Sequence, residues 1–282
     1  MFTMCEEYFE DHKITISTHP DVKKTKTKCM YFSFKGDKNM PAKITFKNGT
    51  PLPWVDSWPH LGNQLNVKDL SLPFKSSLNE DCTIKRRKFI GKVHSLKQEF
   101  GFLDPELLLQ LINIYATSFY GSSLWLFSSS TSERLFTNWN SLIRVIWDLP
   151  NTTHKYFIEE ISNDQHIKTK LFQRYLSFVS SLTKSKKLCL AKLALKSLKD
   201  CGSITKQNIE VIEKESGLSD VLSIDPKSVT SNITYSETPE TELWRIPFLR
   251  ELIDIRDKKL TLPEDFLTED QINGLINLVV TS

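Results

Sequence analysis

The side chains that could do chemistry are mainly basic and aromatic, and they fall in three stretches of the first hundred residues. "DVKKTKTKC" brings lysines to the entrance of a predicted strand, "PLPWVDSWPHLG" carries two tryptophans, and "IKRRKFIGKVHSLK" puts lysines on one face of a predicted helix. Lysine and arginine contact phosphates and aromatic rings stack on bases, so this combination predicts a groove that follows a nucleic-acid backbone. The candidate binding residues are Lys23, Lys24, Lys26, Lys28, Trp54, Trp58, Lys85, Arg86, Lys88 and Lys92.

Arrangements typical of catalysis do not occur in the sequence. It contains no glycine-rich phosphate loop, no Gly-x-Ser-x-Gly and no His-Glu-x-x-His. Adjacent acidic residues occur in six places, but each is predicted on a helix surface or in a loop, where no pair of metal ions would be clamped. The sequence therefore predicts no catalytic residue, no metal ligand and no cofactor.

Composition and charge describe a globular chain of one large or two modest domains. The 282 residues are 39% hydrophobic and 25% charged, with a net charge of +3. Five scattered cysteines without a Cys-x-x-Cys pair indicate a reducing compartment, so we expect an intracellular protein, cytoplasmic or nuclear. No apolar run approaches the roughly 20 residues of a membrane span.

Charge is unevenly distributed along the chain. Residues 168–199 hold nine Lys or Arg and no acid, whereas residues 237–270 hold ten acids and five bases. Such one-signed segments create a field that could attract a charged partner. The same distribution is expected if the charged side chains simply lie on the solvent-exposed faces of helices and bind no partner.

The first 66 residues show mixed α and β patterns. The predicted elements are an amphipathic helix from residue 1, strands over 14–17 and 29–34, a hairpin turning at Asn48-Gly49, and a strand over 60–65. Pro51 and Pro53 make one hairpin arm irregular. Trp54 could pack or bind, whereas Trp58 precedes Pro59 and is not expected to alternate regularly into a core. The chain opens directly in a helix, which suggests a piece of something longer.

After a predicted loop over 66–81, the apolar period changes to 3.6 residues near Thr83. The first helical stripe comprises Ile84, Phe89, Val93, Leu96 and Phe100, and Gly101 ends that helix. A second helix begins at Asp104-Pro105 and is predicted to run to about Tyr120, with Leu108, Leu111, Ile112, Tyr115 and Phe119 facing inward. A third carries Leu135, Trp139, Leu142, Ile143 and Ile146.

These patterns predict an α+β fold, with a small N-terminal α/β piece containing an antiparallel hairpin and then a mostly helical bundle. The predicted divisions are residues 1–66, a helical region over 82–216, a polar linker over 217–240, and a tail over 241–282 with two short helices around Pro263.

The order of several motifs resembles the C-terminal part of reverse transcriptases from non-LTR (LINE-type, jockey-like) retrotransposons. The resemblance covers residues 1 to about 166 most clearly, and it depends on order and spacing because no single motif is decisive. The matching residues are Lys26, Thr27, Met30 and Phe32 in "KTKTKCMYF", and Tyr120, Gly121 and Trp125 in "LLLQLINIYATSFYGSSLWLF".

This resemblance implies the end of a polymerase palm, a primer-grip hairpin and a thumb. The hairpin "ITFKNGTPLPWVDSWPHLGNQLN" would place the 3′ end of a primer, which adds His60 and Gly62 to the candidate binding residues. The implied partners are an RNA template paired with a DNA primer, and the N-terminal part of such a polymerase.

The sequence departs from the family at the catalytic centre, because it contains no Tyr-x-Asp-Asp. Magnesium would belong to those carboxylates, so this chain alone is expected to be an inactive fragment of an RNA-directed DNA polymerase that holds the template–primer duplex. Two alternatives stay open: a degenerate remnant of the mobile element acting as a structural or interaction protein, and an enzyme with an unrecognised site.

Overall fold

The computed structural model describes residues 2–14, 27–31, 42–46, 49–60, 62–66, 75–185, 192–193, 195, 203–233, 245–260 and 267–281. The chain divides into two compact units, residues 1–81 and 82–282, which are described separately. The fold is α+β, with a small antiparallel hairpin followed by a helical bundle, as the sequence predicts.

The first unit contains a helix and a two-stranded antiparallel hairpin. These elements are α1 (Phe2–Asp11), β1 (Ser57–His60) and β2 (Asn63–Asn66). His60 pairs with Asn63, so two residues form the loop, and Gly62 in that loop has a φ of +78°. The prediction of a single strand over 60–65 is wrong, because a glycine that adopts positive φ readily reverses the chain in its middle.

The chain reverses between Phe46 and Thr50, where the sequence predicts a hairpin. The amide of Gly49 donates to the carbonyl of Phe46, and the amide of Phe46 donates to the carbonyl of Thr50, both at 2.9 Å. Gly49 has a φ of +79°. The predicted turn at Asn48-Gly49 lies partly outside the described residues, because Asn48 is not among them. Pro51 forms only an isolated bridge, which agrees with the predicted irregular arm.

The described part of the second unit is built from helices. They are α2 (Lys75–Phe100, which begins in the first unit), α3 (Pro105–Tyr115), a 3-10 turn (Ser122–Leu124), α4 (Ser130–Ile146), α5 (Lys155–Ser162), α6 (Ile167–Lys184), α7 (Ile204–Ser216), α8 (Pro226–Ser231), α9 (Arg245–Arg256) and α10 (Glu269–Thr281). Within the described residues of 82–216 no strand occurs, as predicted.

Local signals explain several of these helix boundaries. The Asp104 carboxylate accepts a 2.9 Å bond from the amide of Glu106, and Pro105 occupies the first helical position of α3, as predicted. The Ser129 hydroxyl caps α4 in the same way. α2 ends at Phe100, immediately before Gly101, as predicted.

One core of apolar side chains holds the second unit together. Its largest fully buried residues include Phe89, Trp125, Phe127, Phe136, Phe157 and Phe172. The rings of Phe127 and Phe172 lie 4.9 Å apart between centroids, and Phe89 stacks on Trp139 at 6.0 Å. Four of the five residues in the predicted stripe of α2 are confirmed, since Phe89 and Val93 are buried and Leu96 and Phe100 pack against this core. The fifth, Ile84, is half-buried and is not part of the core.

Two predicted boundaries are wrong. The helix expected from Thr83 begins at Lys75, inside the predicted loop. The predicted linker over 217–240 contains α8, which is capped by Asp225 and carries the fully buried Val229. Residues 217–233 therefore belong to the packed unit, because a few apolar side chains in this polar stretch reach the core.

The predicted pair of tail helices is confirmed by α9 and α10. Both contribute to the core through buried residues such as Leu249 and Val280. Among the helices of the described residues, none combines the length and the apolar character that crossing a membrane requires.

Candidate nucleic-acid interface

The outward face of α2 is basic and exposed. Arg87, Lys88 and Lys92 are exposed, whereas Phe89 and Val93 of the same helix are buried. No Asp or Glu occurs between residues 83 and 98. The apolar stripe attaches the helix to the core, so the cationic face is left to meet anions in solution.

Three of the four predicted α2 residues make hydrogen bonds within the protein, and two of these, Lys85 and Arg86, are half-buried. The ammonium of Lys85 donates to the carbonyl of Tyr120 and lies 5.8 Å from the ring centroid of Trp125. Arg86 donates to the side-chain oxygen of Asn138 at 2.8 Å, and both basic residues are half-buried. Lys92 also donates to a backbone carbonyl, that of Tyr115, but its side chain is exposed whereas those of Lys85 and Arg86 are half-buried. Lys88, Lys92 and Arg87, the last of which is not among the predicted binding residues, are therefore the more accessible cations for phosphate contacts.

Two exposed tyrosines accompany this basic face. The Lys92 ammonium donates to the backbone carbonyl of Tyr115 at 3.0 Å, and Lys85 makes the corresponding bond to Tyr120. The tyrosines are 61% and 64% exposed. The prediction that Tyr115 faces inward is wrong, because α3 ends at this residue and Leu109 is buried in the helix instead.

A shallow recess lies between α2 and the end of α3. Its lining consists of Lys88, Gly91, Lys92, Ser95, Leu96 and Tyr115. Gly91 leaves a gap in the side-chain surface, since a β-carbon placed there would meet no atom within 4 Å. The lining thus combines apolar surface with two lysine side chains, which suits a ligand with both a flat apolar part and negative charge.

The loop that carries Tyr120 is held by long-range hydrogen bonds. Arg174 donates to the carbonyl of Thr117 at 2.8 Å. The fully buried Asn208 donates to the carbonyl of Trp125 at 2.7 Å and accepts from the amide of Phe127 at 2.9 Å. Tyr120 is therefore presented from a fixed backbone, which lowers the entropy cost of using its ring in recognition.

In the first unit, the structure brings together two of the predicted site residues. The Lys28 ammonium lies 3.7 Å from the centroid of the Trp58 ring, which is a cation–π contact. Trp58 belongs to β1 and pairs with Leu65. Trp58 is half-buried and is not among the buried core residues, which agrees with the expectation that it does not enter a core. Its strand is nevertheless regular, because next to a two-residue loop Pro59 occupies a position without ladder hydrogen bonds.

Trp54 has the environment of a packing residue. Its backbone forms a parallel bridge with Cys29, and its side chain is half-buried. The indole nitrogen is buried and has no hydrogen-bond partner among the described residues. Burial also raises the pKa of the neighbouring Cys29 thiol. Of the two alternatives for Trp54, these observations favour packing.

For the other predicted binding residues the structure gives few or no contacts. Lys23, Lys24, Lys26 and the side chain of His60 lie outside the described residues. Gly62 is exposed in the β1–β2 loop. The role of these residues in binding stays a prediction.

The beginning of the basic segment 168–199 is used internally. Lys168 is buried and pairs with Glu215 at 2.8 Å, and Lys170 pairs with Asp164 at 2.6 Å. Burial lowers the pKa of Lys170. The uniform charge of this segment in the sequence therefore overstates the field it presents to solvent.

His166 begins α6 as a buried, neutral side chain. Its Nδ1 accepts from the amide of Lys168 at 3.2 Å, and its Nε2 donates to the side-chain oxygen of Asn140 at 3.1 Å. Burial, together with the charges of nearby lysines, lowers its pKa to about 3.

Across the described ranges, no group of three His, Cys, Asp or Glu side chains could hold a metal ion.

Comparisons of the chain with protein-family models, with curated proteins and with solved structures find no match.

Proposed function

We propose that the chain binds the phosphate backbone of a duplex between an RNA template and a DNA primer, through the exposed face of α2. The observation that carries this proposal is the exposed set Arg87, Lys88 and Lys92 on a helix stretch free of acids, beside the recess that ends at Tyr115. Each of these cations can contact a phosphate and release a counterion, which makes binding favourable and dependent on salt.

The arrangement of the exposed lysines suits contacts with phosphates of the nucleic-acid backbone better than contacts with base edges that would recognise a sequence. Lys88 and Lys92 are one helical turn apart, about 6 Å along the axis, so both can meet phosphates along a single strand. Few donors in this surface have the fixed, forked geometry that reads base edges. Binding through such a surface is expected to be largely independent of sequence.

The sequence resemblance supplies the biological setting of the proposal. In a reverse transcriptase of the non-LTR type, the β1–β2 region would act as the end of the primer grip and α2 as a thumb helix. The pair Lys28 and Trp58 then offers one charge and one aromatic ring to the primer end. The carboxylates that bind magnesium in such a polymerase are not among the residues of this sequence.

A second candidate is an interaction protein derived from such an element, without nucleic-acid binding. The observation that favours it is the outer side of α3, where Leu107 and Ile114 are 51% and 68% exposed. They are seven residues apart and so share one side of the helix. Exposed apolar side chains of this kind occur at protein–protein contacts.

The test is equilibrium binding of a labelled RNA–DNA duplex of about 20 base pairs at low salt. Changing Arg87, Lys88 and Lys92 to Ala should weaken binding about tenfold or more. The matched control changes the exposed or half-buried Lys206, Lys214 and Lys227 to Ala, which removes the same charge elsewhere in the unit. Equal affinity of both variants and the parent, with helix content unchanged by circular dichroism, would leave the interaction protein as the better candidate.

A further inference from the structure

Tyr115 and Tyr120 place two exposed rings along one edge of α2. Their backbone carbonyls accept hydrogen bonds from Lys92 and Lys85, which are seven residues apart. Seven residues of α-helix span about 10 Å. Both tyrosines are thus tied by their backbones to a helix that carries cations, while their side chains remain mostly in solvent.

An exposed ring beside cations has a specific use in nucleic-acid recognition. Bases inside a duplex are covered by their stacked neighbours, so a surface ring can stack only on an unpaired base or on the last pair. The recess beside Tyr115 has Gly91, Leu96 and Lys88 in its lining. A base can lie against the apolar part while its phosphate meets the ammonium group.

We propose that this surface receives the single strand that emerges from the duplex, with Tyr115 and Tyr120 each stacking on one unpaired base. The inference rests on the proposed binding of a duplex at α2, and it names the part of the ligand that the tyrosines contact. Successive nucleotides of a stacked strand rise about 3.4 Å along its axis. The roughly 10 Å of α2 between Lys85 and Lys92, which bind the two tyrosine carbonyls, therefore corresponds to about three nucleotides.

Charge decides between a strand and a protein partner at this surface. Lys88 and Lys92 line the recess together with Tyr115, Arg87 is exposed on the same helix, and no acid lies on residues 83–98 of α2. A protein partner would have to supply acidic groups at that spacing, whereas every nucleotide brings one negative charge. The strand is therefore the occupant that the surface fits.

The experiment compares two probes with the full 282-residue chain. One is a blunt RNA–DNA duplex of about 20 base pairs, and the other is the same duplex with a template overhang of about six nucleotides. The parent should bind the overhang probe at least about fivefold more tightly, since stacking on one base contributes about 1–3 kcal/mol. The preference should disappear when Tyr115 and Tyr120 are both changed to Ala, and it should persist when both are changed to Phe.

The control is Phe102→Ala, which removes an 82% exposed ring near the opposite end of α3 and should keep the preference. Equal binding of the two probes by the parent, or an unchanged preference in the double Ala variant, would overturn the stacking inference and leave duplex binding intact. Failure of the parent to bind either probe would overturn the proposed function as well. Retained binding of the blunt duplex by the double Ala variant shows that it is folded, so a lost overhang preference can be assigned to the missing rings.

Discussion

Lys92 of α2 donates a 3.0 Å hydrogen bond to the backbone carbonyl of Tyr115 at the last residue of α3. The bond ties the basic helix to the end of its neighbour and leaves the tyrosine ring in solvent. Lysine and tyrosine therefore belong to one surface, with Gly91 and Ser95 between them in the recess.

Gly91 offers a way to separate stability from binding. A side chain added there meets open space and replaces a poor helix former, so Gly91→Glu and Gly91→Lys should each raise the free energy of unfolding by about 0.5–1 kcal/mol. The glutamate should weaken duplex binding and the lysine should strengthen it, because the new charge lies beside Lys88 and Lys92.

Gly274 in α10 is the control, since it is also helical and open. Gly274→Glu should stabilise the protein by a similar amount. Its duplex affinity should stay within about twofold of the parent's, because a charge far from the binding surface is screened by salt. Urea unfolding and fluorescence anisotropy give the two quantities. Identical affinities for the glutamate and lysine variants at position 91 would place the binding surface elsewhere.

Asn208 should be among the most important polar residues for stability. Its amide satisfies the carbonyl of Trp125 and the amide of Phe127 in a fully buried site. Asn208→Ala leaves both backbone groups without a partner, so we expect the free energy of unfolding to fall by about 3 kcal/mol. The exposed Asn277→Ala should change it by no more than about 0.5 kcal/mol. A small effect at Asn208 would mean that the loop carrying Tyr120 is not held as the structure indicates.

His166 predicts how stability depends on pH. Its pKa is lowered to about 3 in the folded protein, while an unfolded histidine titrates near 6.5. Only the unfolded chain binds a proton between these values, so this contribution is complete above about pH 6.5 and declines as pH falls towards 3. Between pH 7 and 5 the loss should be about 2 kcal/mol.

The variant His166→Asn tests this directly, because asparagine can still cap α6 but does not titrate. The difference in unfolding free energy between parent and variant should shrink by about 2 kcal/mol from pH 7 to pH 5. The exposed His94→Asn serves as the control. A parent–variant difference that is constant with pH would show that His166 titrates normally in the folded state.

The chain should not extend a primer by itself. The sequence contains no Tyr-x-Asp-Asp, and phosphoryl transfer by two metal ions needs carboxylates that hold them. Incubation with template, primer, nucleotides and either Mg²⁺ or Mn²⁺ should give no product above a heat-inactivated control. Incorporation that is retained after removal of copurifying polymerases would reveal a catalytic site that the sequence patterns do not identify.

In the second unit, apolar periodicity predicts the buried side of a helix well where all of its apolar side chains point into the same core. The spacing of Phe89 and Val93 in α2 indicates the buried side correctly, as does the stripe through Trp139 in α4. The start of α2 was predicted eight residues late because residues 75–82 are mostly polar. α8 was missed for a similar reason, since a single buried Val229 in a six-residue helix produces no periodic signal.

The candidate site could be predicted only in part. Lys88 and Lys92 followed from their spacing on α2, but the engagement of Lys85 and Arg86 depends on Tyr120 and Asn138, which are distant in sequence. Tyr115 was assigned to the core because nothing in the sequence marks the end of α3 at that residue. A helix that stops without glycine or proline leaves its last side chains in positions that only tertiary packing determines.

The most direct test of the account is the salt dependence of duplex binding. Affinity of the parent for a B-form DNA duplex is measured between about 50 and 200 mM salt and compared with that of the variant with Arg87, Lys88 and Lys92 changed to Ala. Each lost phosphate contact should reduce the magnitude of the log–log slope by about 0.9, so the variant's slope should be shallower by about three. Parallel lines for the two proteins would contradict the assignment of the α2 face as the nucleic-acid interface.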